Sequence, residues 1–137
     1  MKVYLSGPMS GIAGFNAPLF KCAAVELRAQ GYEVISPLEE DLAAGIDATQ
    51  FSGDIVEFER QTKHTWGDLL SRDVKLLADG EVDGIVTLPK WYESKGARLE
   101  VFLGLLKGMT IYAYDLGSEP RPYNTHTVLW FIEQSFQ

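Results

Sequence analysis

The sequence predicts an α/β fold, a three-layer sandwich in which helices cover both faces of a parallel sheet of four to five strands. Three observations predict it. Short β-rich stretches alternate with stretches of helical periodicity along the chain. Val82–Leu88 (VDGIVTL) is a near-continuous apolar run, the pattern of a central parallel strand buried on both faces. A turn with glycines at positions 7, 11 and 14 directly follows the first strand-like stretch.

The elements follow in order. Lys2–Ser6 (KVYLS) reads as the first strand and Ser6–Gly14 as a loop. Asn16 is placed to cap a helix, with Pro18 in its first turn. Leu19, Phe20, Ala23, Ala24 and Leu27 then share one face, and Gly31 ends the helix. Cys22 is assigned to that apolar face, as a core residue; standing alone, it forms no internal disulfide. Glu33–Ser36 reads as the second strand, stopped by Pro37. Residues 38–63 are acidic, glycine-punctuated and weakly periodic. They read as a long loop with one or two short helical pieces, the kind of segment that serves as a functional lid or stays disordered.

Thr65–Leu77 reads as a helix, with Thr65 and Asp68 forming a capping box. The central strand Val82–Leu88 leads through a loop, Pro89–Gly96, into a helix over Gly96–Lys107 that Gly108 caps. Met109–Tyr114 is the fourth strand, Leu116–Pro122 a turn-rich link and Thr125–Phe136 the last helix. Right-handed crossovers through this order give a doubly wound, Rossmann-like sandwich in one domain, residues 1–137. Such sheets bind ligands beyond the carboxyl ends of their strands, here at residues 6–16, the start of 38–63, 89–96 and 115–124.

The formal net charge is −7, which argues against a nucleic-acid polymer or an anionic membrane surface as partner, though not against a small phosphorylated ligand. No apolar run is long enough to span a membrane, and the residues after Met1 lack the pattern of a signal peptide, so a soluble cytoplasmic protein is expected. His64 and His126 suggest no metal site, and no cofactor motif is present.

Four features stand out against this background. The loop Ser6-Gly7-Pro8-Met9-Ser10-Gly11 between a strand and a helix reads either as a phosphate cradle or as a turn needing positive φ. It matches neither a dinucleotide fingerprint nor a P-loop. Asp73 shares a helix face with Trp66, Leu69, Leu70, Leu76 and Leu77, while Asp68, Ser71, Arg72 and Lys75 point elsewhere. An acid in an apolar stripe is paired, hydrogen-bonded or protonated, so Asp73 either holds a neighbouring loop or faces a ligand pocket. Glu100 follows the central strand in the first turns of a helix, between the small residues Ala97 and Gly104, where the helix N-terminus favours an ionised carboxylate suited to nucleophilic attack. Ser94 supplies either a pocket hydroxyl or a helix cap. Two carboxylates beside an anion-binding loop fit glycoside chemistry, in which one carboxylate traps an oxocarbenium-like centre and a second group helps the leaving group depart.

Tyr4-Leu5-Ser6-Gly7-Pro8-Met9-Ser10-Gly11, Trp66 with Arg72-Asp73, and Ser94-x-Gly96-Ala97-x-x-Glu100 resemble the nucleoside 2-deoxyribosyltransferase family, and within it a branch of small phage and prophage proteins. The resemblance covers most of the chain but not residues 38–63. It implies a flavodoxin-like or Rossmann-like fold, a homodimer or higher homo-oligomer, and a covalent glycosyl-enzyme intermediate on Glu100. It further implies that Asp73 acts on the base and that Tyr4 orients Glu100. Ser94 stands where the transferases carry an acid; a serine there resembles the branch that hydrolyses nucleoside 5′-monophosphates, in which it and the Gly/Ser loop bind phosphate. That branch often has an arginine where this chain has Pro8-Met9. Pro122-x-Asn124 resembles a transferase segment whose asparagine reaches a neighbouring subunit's site; Asn124 reads equally as a cap for the last helix.

The expectation is therefore cleavage or exchange of an N-glycosidic bond. Glu100, Asp73 and Tyr4 carry the chemistry, and Ser6, Gly7, Met9, Ser10, Gly11, Trp66, Ser94, Gly96 and Asn124 bind the substrate. Trp91 and Tyr92 read either as base-stacking or pocket-covering residues or as interface and surface anchors. Val128, Leu129, Trp130, Ile132 and Phe136 read as core or as an oligomer contact. The alternative to an enzyme is a module that sequesters a nucleotide-derived ligand without turnover. A phosphoacceptor domain using Asp73 or Asp83 is disfavoured, since neither directly follows a strand.

Overall fold

The computed structural model describes residues 1–136. Five strands form one sheet in the order β2-β1-β3-β4-β5. They are β1 (Lys2–Ser6), β2 (Glu33–Ile35), β3 (Gly84–Thr87), β4 (Thr110–Ala113) and β5 (Arg121–Pro122). The first four pair in parallel, with β1 and β3 in register from Val3 opposite Gly84 to Ser6 opposite Thr87. Six helices connect or flank them: α1 (Ala17–Ala29), α2 (Pro37–Ala43), α3 (Ile55–Thr62), α4 (Trp66–Asp79), α5 (Lys95–Leu106) and α6 (Thr125–Gln134). The result is the three-layer α/β sandwich expected from the strand–helix alternation.

Period-two alternation along β1 sorts the core into two halves. Val3 and Leu5 face one side and join Phe20, Ala24 and Leu27 of α1. Tyr4 faces the other side and joins Leu77 of α4, Val101 of α5 and Val128 of α6. Gly104 explains how closely α5 approaches the sheet. A Cβ there would lie 2.5 Å from Ile85 Cδ1, so this small residue serves helix–sheet packing rather than leaving space around Glu100.

The segment 38–63 is more ordered than its weak periodicity suggests. It holds α2, a 3-10 turn at Ala48–Gln50, and α3. Ser36-Pro37 starts α2, with proline at a position where its missing N–H costs nothing. Asp54 caps α3 by accepting from the amides of Val56 and Glu57. Phe15, Phe51 and Phe58 then form an aromatic cluster, with the Phe51 and Phe58 rings 5.1 Å apart, that fastens the segment to the loop after β1. Long-range aromatic packing, invisible to local periodicity, orders this stretch.

Three expectations need correction. The link after β4 contains β5, which pairs antiparallel with β4 through Tyr112–Pro122 and Ala113–Arg121. A two-residue strand carries no detectable alternation, and Pro122 is tolerated because it sits on the sheet edge. Cys22 is exposed, not core. It lies two residues past Phe20, about 200° around the helix from the buried stripe. Asn16 occupies the cap position of α1 but makes no capping bond, because its backbone is left-handed (φ 64°); its amide donates instead to Pro8 O at 2.9 Å. The last helix is split in character, with Val128 buried and Leu129 and Trp130 turned outward.

Candidate active site

Sheet order reverses at β1 and β3: the chain steps from β1 outward to β2, then crosses back to β3. The carboxyl ends of such a pair open a crevice, and the polar groups of this protein collect there. Tyr4 and Ser6 point to the same face of β1, and both reach Glu100 on α5. The Tyr4 hydroxyl donates to Glu100 Oε2 at 2.5 Å, and the Ser6 hydroxyl donates to Oε1 at 2.8 Å. All three residues are buried, Glu100 at 6% exposure and the other two at 0%. Ser6 therefore holds the glutamate rather than anchoring a ligand.

Glu100 lies in the second turn of α5, past the reach of the helix N-terminus that was expected to keep it ionised. Burial is the larger effect and, with the nearby charge of Asp73, pushes Glu100 up to about 8, against the pull of the Tyr4 and Ser6 hydrogen bonds. Burial pushes Asp73 up to about 6, opposed by Arg72. Tyr4 stays a proton donor, since burial and then Glu100 raise it well above its ordinary value.

Asp73 is held by a residue expected to point elsewhere. Arg72 folds back so that Nε and Nη2 donate to Asp73 Oδ1 at 3.0 and 2.8 Å. On its other side, Arg72 Nη1 lies 2.7 Å from Oδ1 of Asp41, an α2 residue that is 3% exposed. The two atoms form a buried ion pair between α2 and α4. Burial raises the Asp41 pKa and Arg72 draws it back. Two carboxylates thus flank one guanidinium, as a pocket must when it buries this much charge.

A cavity of about 70 Å³ lies against these groups. Asp41, Arg72, Asp73 and Glu100 line it, and Phe15, Ile46, Ile55, Phe58, Leu69 and Leu70 make its walls apolar. Of the expected site residues, Glu100, Asp73, Gly7, Met9, Ser10, Trp66, Ser94 and Gly96 line the cavity. Tyr4 and Ser6 stand behind Glu100. Gly11 does not line it; its N–H donates to Gly53 O at 2.8 Å. Ser94 lines the cavity and also caps α5, accepting from Ala97 N at 3.2 Å. Asn124 caps α6 by accepting from His126 N at 2.8 Å and does not line the cavity. Trp91 is neither a stacking platform nor a surface anchor: it is 1% exposed within a cluster with Tyr123 and Phe131. Tyr92 stacks on Phe131, centroids 4.6 Å apart.

Sequence reasoning missed Asp41, the inward turn of Arg72, and the walls Phe15, Ile46 and Phe58. A faint signal for Asp41 exists, since it lies three residues after Leu38 on one face of a helix opened by Ser36-Pro37. The cavity is smaller than the roughly 300–1,000 Å³ of small-molecule sites. Its wall of residues 37–62 is tied to the loop after β1 by Gly11 N–Gly53 O and Gly14 N–Phe51 O bonds, each 2.8 Å. Among the described residues there is no His, Cys, Asp and Glu group arranged to hold a metal ion, and no helix is long and apolar enough to cross a membrane.

Neither the curated proteins nor the solved structures contain a match to the chain. Residues 1–113, from the first strand through β4, match the domain of unknown function DUF4406, and the chain belongs to that family.

Proposed function

We propose that this protein cleaves or exchanges the N-glycosidic bond of a (deoxy)nucleoside through a covalent glycosyl-enzyme intermediate on Glu100. The observation that carries the proposal is the glutamate itself: a buried carboxylate that accepts a hydrogen bond on each oxygen and faces a second carboxylate across an apolar cavity. The two donors oppose the burial that pushes Glu100 up to about 8, above Asp73 at about 6, so the reactive form is the less populated one, with Glu100 ionised and the shared proton on Asp73. In the first step a Glu100 oxygen bonds to C1′ as the C–N bond breaks. The bonding pair leaves with the base, and the Asp73 carboxyl proton passes to a base nitrogen. In the second step water or another base attacks C1′, the ester to Glu100 breaks, and Asp73 takes up the proton.

Two observations favour an unphosphorylated nucleoside over a 5′-monophosphate. In the loop expected to cradle phosphate, Gly11 spends its N–H on Gly53 O, and Ile12, Gly14 and Phe15 just beyond it also donate to carbonyl oxygens. The one cationic side chain lining the cavity, among the described residues, is Arg72, already shared by two aspartates. Exposed Leu99 and Phe102 on α5 and Leu129 and Trp130 on α6 support assembly into homo-oligomers.

The test is chromatographic. Purified protein is incubated with nucleosides and 5′-monophosphates, with and without an acceptor base, beside Glu100→Gln. Free base or a new nucleoside from the wild type alone supports the mechanism; equal activity of the variant overturns it. Intact ligand recovered after tight binding replaces it with a sequestering module.

A further inference from the structure

Resting on the assignment of the inner cavity to a nucleoside, we propose that the base projects from that cavity into an open cleft at its mouth, where it stacks on Trp66 and turns its N–H groups toward Glu59 and Glu93. The argument starts from size. Glu100 and Asp73 line the inner cavity, whose free volume of about 70 Å³ is too small for a whole nucleoside. A second cleft, of about 560 Å³, adjoins it. The two share Ser10, Ile55, Trp66, Ser94 and Gly96, so they form one recess with a narrow inner end and a wide outer one. With the reacting carbon at Glu100, the glycosidic edge of the base stays beside Asp73 and its far edge reaches the outer part.

Two glycines keep the outer part open. Gly67 and Gly96 each follow the first residue of a helix, α4 and α5, and both line the cleft. Glycine weakens a helix relative to alanine, and no packing demands it at these positions. A Cβ on Gly67 would meet only Thr65 Oγ1 at 3.7 Å, and one on Gly96 nothing nearer than 3.8 Å. Neither residue has a positive φ. Gly104 is the contrast, since the sheet leaves no room for its Cβ. The space at Gly67 and Gly96 therefore serves a ligand rather than the fold.

The chemistry of the cleft selects the base over a phosphate. Trp66 is 39% exposed and offers an indole face to a planar ring. Glu59 and Glu93 stand against one cation, Lys95, so a phosphate would meet net negative charge, whereas the N–H groups of a base meet acceptors. Glu59 Oε2 accepts from Trp66 N at 3.1 Å, which fixes the start of α4 beside α3 and leaves Oε1 for the ligand.

The measurement is calorimetric binding of the common 2′-deoxynucleosides and their 5′-monophosphates to the full chain, with Glu100→Gln beside it to separate the heat of binding from that of turnover. Wild type is expected to bind at least one nucleoside, and its monophosphate no tighter. Trp66→Ala is expected to weaken that nucleoside about tenfold or more, while Trp66→Phe, which keeps a ring, holds most of the affinity. Gly67→Leu, placed on the cleft and not on the inner cavity, is expected to weaken it by a similar factor while melting no lower than wild type. No nucleoside bound by wild type, an unchanged affinity in Trp66→Ala or Gly67→Leu, or a 5′-monophosphate bound tighter than its nucleoside overturns the proposal. Binding that both variants weaken, with no free base released by wild type, would leave this inference standing and remove the catalytic one; turnover with a KM that neither variant changes would do the reverse.

Discussion

The Tyr4 hydroxyl lies 2.5 Å from Glu100 Oε2, a contact between the first strand and the fifth helix across 96 positions of sequence. This hydrogen bond stabilises the charged glutamate, so removing it makes ionisation harder. Tyr4→Phe is expected to lower kcat/KM about tenfold to a hundredfold and to move its high-pH limb upward. A variant whose limb stays in place while activity falls would show that Tyr4 only packs.

In the proposed mechanism the two carboxylates set the pH profile. The form that mechanism requires carries one proton between Asp73, pushed up to about 6, and Glu100, pushed up to about 8. A plot of kcat/KM against pH is expected to be a bell with limbs near these values and a maximum between them. A flat profile from pH 5 to 9 would contradict the pair.

The same burial makes a stability prediction with a definite sign. The folded state holds the Glu100 proton up to about 8, while the unfolded chain releases it near the ordinary value of 4.5. Between those limits the folded state binds more protons, so wild-type stability falls as pH rises. Glu100→Gln carries no such proton. Its melting temperature relative to wild type is expected to climb from pH 5 to about 8 and then level off. The steepest change approaches about 1.4 kcal/mol per pH unit. A difference independent of pH would show that Glu100 ionises freely in the folded protein.

Arg72 neutralises two buried aspartates at once. Arg72→Met leaves both uncompensated and is expected to cost about 3–5 kcal/mol in urea unfolding. Adding Asp41→Asn to Arg72→Met is expected to recover part of the loss, because one stranded charge disappears. Additive losses in the double variant would show that the two residues do not interact.

Gly53 is where the 37–62 wall meets the loop after β1. It has φ +99°, and a Cβ there would stand 2.0 Å from Ile12 O. Gly53→Ala is expected to destabilise the fold by about 2 kcal/mol or more and to strip hydrogen-exchange protection from the amides of Gly11 and Gly14. Unchanged protection would mean that the two segments are not fastened there.

Wherever one face of an element decides its place, the sequence is readable. The run Val82–Leu88, the Thr65–Asp68 capping box and the stripe around Asp73 each pointed to the element that formed. Asp73 stood out for the same reason, as a charge in apolar company, and Glu100 for its place in a helix that follows the central strand. Arg72 was misjudged because helical periodicity fixes where Cβ points, whereas a long side chain can curl back to the adjacent Asp73. Asp41, Ile46 and Phe58 were hidden because their burial comes from contacts with Phe15 and Arg72, distant in sequence. The two-residue β5 is too short for any alternation.

The residues proposed to break bonds sit on β1, α4 and α5, whereas Asp41, Ile46 and Phe58 belong to a stretch that adds no strand to the sheet. That separation divides what selection can alter. Substitutions across residues 37–62 can remake the shape and polarity of the pocket roof without disturbing a single strand pairing or the hydroxyls around Glu100. Related proteins could therefore keep one reactive centre and diverge in the molecules they accept, by exchanging a cassette of about two dozen residues.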